Sequence, residues 1–476
     1  MQTLLCAFWL GILPFQPPSH AQGDREHYRK VAERRLDELG APEMPGVAYA
    51  IVEQGDVSEI GATGVKRLGS DEPIGPGTPF LIGSISKSFT AIGVMQLVEA
   101  GQLSLDGPIS RHLPAFADKP SGAITIRQLL SHTSGYSSYQ GHSSQACYST
   151  GKGPIARRAD QLATTALAYE PGGTWEYSNA NYQILGRLIE VVSGQGYPAY
   201  IRSNILEPAG MVHSFVSDGE RHAAMATGHR PWFGSKRPLP DNRTDLGTAP
   251  QGGIVASASD LARYMLLMMN REDDIISAET KAAMMNPASE ASPFYGLGWF
   301  LDREKGTAWH SGSTPGVETL LTMMPAERKG VVVLVNAGSG IGFGETAQLR
   351  NGITAGALGL DYTGESSRLS QKATFLALVL LPIVFLLSMV WAWRHRGAIR
   401  AKSGPAGVFS LWFPLLTTLA TAWVIIFLVP RLSGLPLGTL SRYQPDLALA
   451  MIATAVTGVL WSVFRLGVAY TGKVGR

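Results

Sequence analysis

Ser84, Ile85, Ser86 and Lys87 set a hydroxyl and an amine three residues apart, a spacing that a helix brings onto one face. A serine hydroxyl is a poor nucleophile at neutral pH, and an amine that accepts its proton turns the pair into a covalent catalyst. Lys87 can accept that proton only when neutral, so the reading requires burial and the positive end of a helix to lower its pKa. Free backbone donors at the same helix end would stabilise an oxyanion. The spacing recurs at Ser149 to Lys152, in a polar, glycine-rich loop without helical pattern, so context and not the tetrad itself selects Ser84.

Two later segments carry matching chemistry. Tyr177-Ser178-Asn179 follows Glu170-Pro171-Gly172-Gly173 and precedes a helical pattern, which sets a tyrosine at a loop-to-helix junction where it could relay protons to a leaving group or a water. Taken alone, it would be an ordinary turn with Asn179 capping the helix. His310-Ser311-Gly312 closes a strand pattern beginning at Thr307. Gly312 would let a substrate backbone lie against that strand, and the amide of Ser313 would supply a second oxyanion donor. A further match, His395-Arg396-Gly397, lies between two apolar stretches and is discounted.

The elements that must position these groups are readable from periodicity. Residues 84–100 carry apolar side chains at 89, 92, 95 and 98 with Gly101 as a stop signal, which predicts a buried helix. A helix at 27–39 is followed by a strand pair at 46–53 and 57–61 around Gln54-Gly55-Asp56. Helices are predicted at 125–132, 155–168, 180–193, 197–206 and 258–269, then strands at 296–301, 317–324 and 330–336 and a helix near 345–357. Strands at both ends of a helical middle predict an α/β fold: one antiparallel sheet built from both ends of the domain and flanked by helices, plus an all-helical lobe. Loops at 134–153 and 227–253 are long enough to line a site.

Composition sets the surroundings. A net charge of +3 over 476 residues, without blocks of like charge, suggests no nucleic-acid partner. The chain is 45% hydrophobic and 16% charged, and the excess lies in the last hundred or so residues. There, 373–393, 408–429 and 447–466 approach the ~20 residues that cross a bilayer, so residues 366–476 read as a membrane region with a lipid bilayer as partner. Arg394, Arg396, Arg400 and Lys402 fill the first connection without an acidic residue, and Trp391, Trp393, Trp412, Trp461 and Tyr470 fall toward the same side, which is read as cytoplasmic. At the amino end, 4–15 is a short apolar run before Ser19-His20-Ala21, read as an export signal over 1–21, with an uncleaved anchor as the alternative. Residues 22–365 then form the exported domain. Cys6 falls in the signal and leaves Cys147 unpaired, so no disulfide framework exists. The histidines show no metal-ligand spacing, which assigns His132, His213, His222 and His229 structural or surface roles and predicts no metal. Gly338, Gly340, Gly342 and Gly344 miss the dinucleotide spacing, and no cofactor is predicted. Met265, Met268, Met269, Met284 and Met285 are assigned to packing of the helical lobe.

Order, spacing and context of the three motifs resemble the serine beta-lactamase and penicillin-binding-protein superfamily, in the branch of class C beta-lactamases, D-alanyl-D-alanine carboxypeptidases, D-aminopeptidases and esterases. Leu129 to Gly135, Glu170-Pro171-Gly172, Gly252-Gly253-Ile254 with Asp260-Leu261-Ala262, and Gly296-Leu297-Gly298-Trp299 look like that branch too, so the resemblance runs over roughly 25–360. It implies Ser84 as the acylated nucleophile, Lys87 and Tyr177 sharing acid and base work, and Asn179 positioning the substrate amide. His310, Ser311, Gly312 and Ser313 would complete the substrate-binding strand. His310 stands where beta-lactamases commonly carry lysine, which resembles the peptidase and esterase members more than the lactamases. The expected function is a membrane-anchored serine hydrolase of small-molecule or peptide amides or esters, with D-alanyl cell-wall peptides as one substrate class. An esterase or D-aminopeptidase is the alternative within catalysis, and a non-hydrolytic, penicillin-binding sensor of wall fragments the alternative outside it.

Overall fold

The computed structural model describes residues 44–146, 148–149, 153–341, 344–364 and 366–471. The export signal, the helix at 27–39, Cys6, Cys147, Thr150 to Lys152, Gly342, Lys473 and Arg476 lie outside the described residues. The described chain falls into two compact units, one of residues 44–340 with 344–364 and one of Ile341 with 366–471.

In the first unit a six-stranded sheet is made of β1 (Gly46–Glu53), β2 (Asp56–Gly64), β3 (Phe300–Asp302), β4 (Thr307–Thr314), β5 (Val317–Met324) and β6 (Lys329–Val335), in the order β2-β1-β6-β5-β4-β3. Gln54 (φ 53°) and Gly55 (φ 89°) both adopt positive φ, the backbone of a two-residue turn whose twist matches the β1–β2 hairpin. The opening strand pairs antiparallel with the closing one, Val47 opposite Val335 and Ile51 opposite Val331, so the sheet is assembled from both ends of the domain as the pattern anticipates. Strand alternation then separates two cores. Ala48, Ala50 and Val52 belong to the larger one, and Val47, Tyr49 and Ile51 pack with Leu349 and Ile353.

Four helices frame the site. They are α1 (Ser86–Glu99), α2 (Asn179–Ser193), α3 (Ala258–Met269) and α4 (Glu345–Leu358), the last lying against the Val47 face of the sheet. Helix α1 ends where Gly101 adopts φ +70° and its amide bonds Val98 O at 2.9 Å. Met265 and Met269 of α3 lie at Gly330 of β6, so these methionines pack against the sheet rather than within a helical lobe. The strand expected at 296–301 shrinks to β3. Gly298 sits at φ +88°, and a Cβ there would lie 3.1 Å from Ala91 Cβ and 3.2 Å from Ser88 Cα. The Gly296-Leu297-Gly298-Trp299 turn is therefore a close-approach surface against α1.

The second unit contains α5 (Leu369–Arg394), α6 (Gly404–Trp423), which runs on helically to Leu432, and α7 (Pro445–Tyr470), three helices long and apolar enough to cross a membrane. Pro382 and Pro414 lie inside α5 and α6. Each removes the amide that would bond the carbonyl four residues back. Helix α7 supplies both replacements: Thr454 Oγ1 donates to Leu378 O at 2.8 Å, and Arg465 Nη1 to Ser410 O at 2.8 Å.

Candidate active site

Ser84 sits in a single 3₁₀ turn, Gly83–Ile85, that feeds directly into α1. Its neighbours Ser86 and Ser88 are fully buried and engaged: Ser86 Oγ accepts from Ile254 N at 2.9 Å, and Ser88 Oγ accepts from the Tyr264 hydroxyl at 2.8 Å. Ser84 alone of the three is half-buried. Gly83 adopts φ +57°, and a Cβ there would come within 2.6 Å of Ser313 N; the turn is thus pressed backbone to backbone against β4. From the other side, a Cβ on Gly312 would lie 1.9 Å from Ile82 O, so the space expected for a substrate backbone at Gly312 is filled by the turn that carries Ser84.

Lys87 is fully buried on the first turn of α1. Its Nζ lies 3.0 Å from Ser84 Oγ, 2.8 Å from Asn179 Oδ1 and 2.8 Å from the backbone carbonyl of Gln251. Burial holds its pKa well below the usual 10.5. A neutral amine has two hydrogens and one lone pair. The two oxygens that can only accept take the hydrogens, which turns the lone pair toward the one partner that can donate, the Ser84 hydroxyl. Nζ also sits over the Tyr177 ring, 4.9 Å from its centroid.

Asn179 opens α2 and is buried, and its amide oxygen is committed to Lys87. His310 is buried on β4, with Nδ1 2.7 Å from Ser311 O and Nε2 3.2 Å from the Tyr295 hydroxyl. Burial lowers its pKa to about 3. Ser311 and Ser313 pair with Leu320 and Glu318 of β5 and are half-buried. The structure therefore brings Ser84, Lys87, Tyr177, Asn179, His310 and the Gly312–Ser313 backbone together. The rival serine is occupied elsewhere, since Ser149 Oγ accepts from Arg158 Nε at 2.9 Å and Nη2 at 2.6 Å.

Two contributors escape the sequence reading. The Gln251 carbonyl is a backbone group, and only the neighbouring Gly252-Gly253 marks the segment. Tyr295 precedes the Gly-Leu-Gly-Trp turn and had no reason to face His310. His132, assigned a structural or surface role, takes the structural one: it is buried with φ +62°, its Nδ1 accepts from Ser178 N at 3.1 Å and Asn181 Nδ2 at 2.9 Å, and its ring lies 4.4 Å from that of Tyr177. Two N–H donors at Nδ1 set the remaining proton on Nε2, so a neutral imidazole clamps the backbone that presents Tyr177 and Asn179. Among the described residues no group of histidine, cysteine and carboxylate side chains could hold a metal.

Fold and site together define the class of serine hydrolases that includes the penicillin-binding proteins. The chain matches the family model described as Beta-lactamase over residues 32–354 and belongs to that family. It is 30% identical over 333 residues to Penicillin-binding protein 4* of Bacillus subtilis (strain 168), covering 66% of this chain and 72% of that protein. It is 27% identical over 403 residues to Protein flp of Staphylococcus aureus (strain MRSA252), covering 82% of this chain and 79% of the relative. Among solved structures it resembles the octameric penicillin-binding protein homologue from Pyrococcus abyssi at TM-score 0.56 and 28% identity, over 66% of this chain and 74% of that one.

Proposed function

We propose that the protein is a membrane-anchored serine hydrolase that cleaves amides or esters through an acyl-enzyme on Ser84. The observation that carries this reading is the Lys87 amine, whose lone pair is turned toward Ser84 Oγ by two carbonyl acceptors. Ser84 Oγ attacks the substrate carbonyl carbon as its proton passes to Lys87 Nζ. The new oxyanion lies between the amides of Ser84 and Ser313, where the Gly83 turn meets β4. Collapse breaks the bond to the leaving alkoxide or amine, which takes the proton from Lys87 by way of the adjacent Tyr177. Water adds to the acyl-enzyme by the same proton route in reverse and releases the carboxylic acid with Ser84 restored. Asn179 Nδ2 faces the substrate amide. Helices α5 to α7 hold the domain at a lipid bilayer. Relatives named as penicillin-binding proteins support a covalent serine, and turnover separates a hydrolase from a sensor that acylates once and stops.

Incubation with an activated phenyl ester followed by peptide mass spectrometry should find the acyl group on Ser84. Ser84→Ala should abolish the adduct, and Lys87→Ala should slow its formation by about 100-fold or more. Acylation of Lys87→Ala at the wild-type rate would remove the assigned base.

A further inference from the structure

Beside Ser84 and His310 the rings of Trp175, Tyr177, Phe294, Tyr295, Phe300 and Trp309 form one connected cluster. Phe300 holds it together: its centroid lies 4.6 Å from Trp309, 4.7 Å from Tyr295, 6.1 Å from Trp175 and 6.2 Å from Tyr177, and the His310 ring is 5.3 Å away. Phe294 packs on Trp175 at 4.8 Å and is 42% exposed, and Trp175, Tyr177, Phe300 and Trp309 are half-buried. An accessible aromatic wall joined to a nucleophile needs an apolar occupant more than a charged one.

We infer that the substrate group lying against the third motif is uncharged and aromatic or aliphatic, so that the site takes neutral esters or amides in preference to those bearing a free carboxylate there. The inference rests on the acyl-enzyme reading and specifies its substrate. Both nitrogens of His310 already have partners inside the protein. Ser311 O can only accept, which fixes the ring proton on Nδ1, and Nε2 then accepts from Tyr295. No nitrogen is left to grip a carboxylate. Burial opposes a second proton on the ring. The hydrogens of Lys87 are held by Asn179 and Gln251, and among the described residues no cation lies over Trp175, Phe294, Tyr295, Phe300 or Trp309. A carboxylate brought here would lose its water without gaining a counter-charge, whereas a ring or alkyl group would gain by leaving water.

The test compares the acetyl ester of 4-hydroxybenzoate with the acetyl ester of methyl 4-hydroxybenzoate. The methyl group removes the leaving group's charge, and each kcat/KM is divided by that ester's own rate with hydroxide to take out the difference in intrinsic reactivity. In the full-length protein the neutral ester should exceed the anionic one by about tenfold or more. His310→Lys should narrow that ratio by a similar factor, and Phe300→Ala should lower kcat/KM for the neutral ester more than for the anionic one. A wild-type ratio near one, or a preference for the anionic ester, overturns the inference. The wild-type comparison decides even where a variant does not fold. Absence of a Ser84 adduct with either ester overturns the acyl-enzyme reading instead, and the inference with it.

Discussion

A lysine buried without a carboxylate partner is costly in its charged form, and Lys87 is placed so that the cost is avoided by giving up the proton. The consequence reaches beyond the reaction. Because the folded-state pKa lies below the usual 10.5, the unfolded chain carries a proton on this residue over the interval between the two values, and the folded chain does not. Unfolding therefore takes up a proton in that window, so this group makes stability rise with pH from the lowered pKa toward about 10. The thermal midpoint of the wild type should climb more steeply across that range than that of Lys87→Met. Slopes are the quantity to compare, since the methionine also strands Asn179 Oδ1 and the Gln251 carbonyl and shifts the level at every pH. Equal slopes would mean that Lys87 is protonated in the folded protein and is no base. The residues with distinctive chemistry were legible at this scale, because a Ser-x-x-Lys step at a helix start and two short motifs announce themselves. Those that act through a carbonyl, as Gln251, or through a ring packed against another ring, as Tyr295, leave no spacing signal.

Elements were legible where a period ran undisturbed, and missed where a glycine served tertiary contact. The strands at 46–53 and 317–324 and the helix at 258–269 coincide with β1, β5 and α3. The run at 296–301 looked like a strand by its apolar residues, but the positive φ of Gly298 and its contact with α1 decide for a turn. Prolines in the apolar stretches show the converse, a local rule broken and compensated from another element. Pro382 leaves Leu378 O without its amide, and Thr454 of α7 donates to it; Pro414 leaves Ser410 O to Arg465. In an apolar medium such a carbonyl has no water to turn to. Thr454→Val should cost the helical unit about 1 kcal/mol in detergent unfolding. In Pro382→Ala, which restores the amide to Leu378 O, the same valine should cost markedly less. Equal costs in the two backgrounds would show that Thr454 contributes packing and not the missing hydrogen bond.

For the whole molecule the decisive quantity is charge at the two ends of the helical unit. The carboxyl end of α5, the amino end of α6 and the carboxyl end of α7 meet: Arg400 Nε donates to Val468 O at 3.2 Å, and Trp412 Nε1 to Tyr470 Oη at 3.1 Å. That end gathers Arg394, Arg396, Arg400 and Lys402, with Arg396 5.3 Å from the Trp393 ring centre, whereas the opposite connection carries Arg431 and Arg442 with the acidic Asp446. Short connections rich in arginine and lysine stay in the cytoplasm, and tryptophan and tyrosine settle at the interface. If all three helices cross, that rule predicts the amino end of α5, and the unit that precedes it, on the outer side. This arrangement predicts opposite labelling at two exposed positions. In a background of Cys6→Ala and Cys147→Ser, Asp71→Cys should react with a membrane-impermeant maleimide in sealed right-side-out vesicles. Ser403→Cys, in the connection between α5 and α6, should react only after permeabilisation. The reverse pattern would place Ser84 in the cytoplasm and exclude any wall-derived substrate, while labelling of both positions in sealed vesicles would mean that the three helices do not all cross.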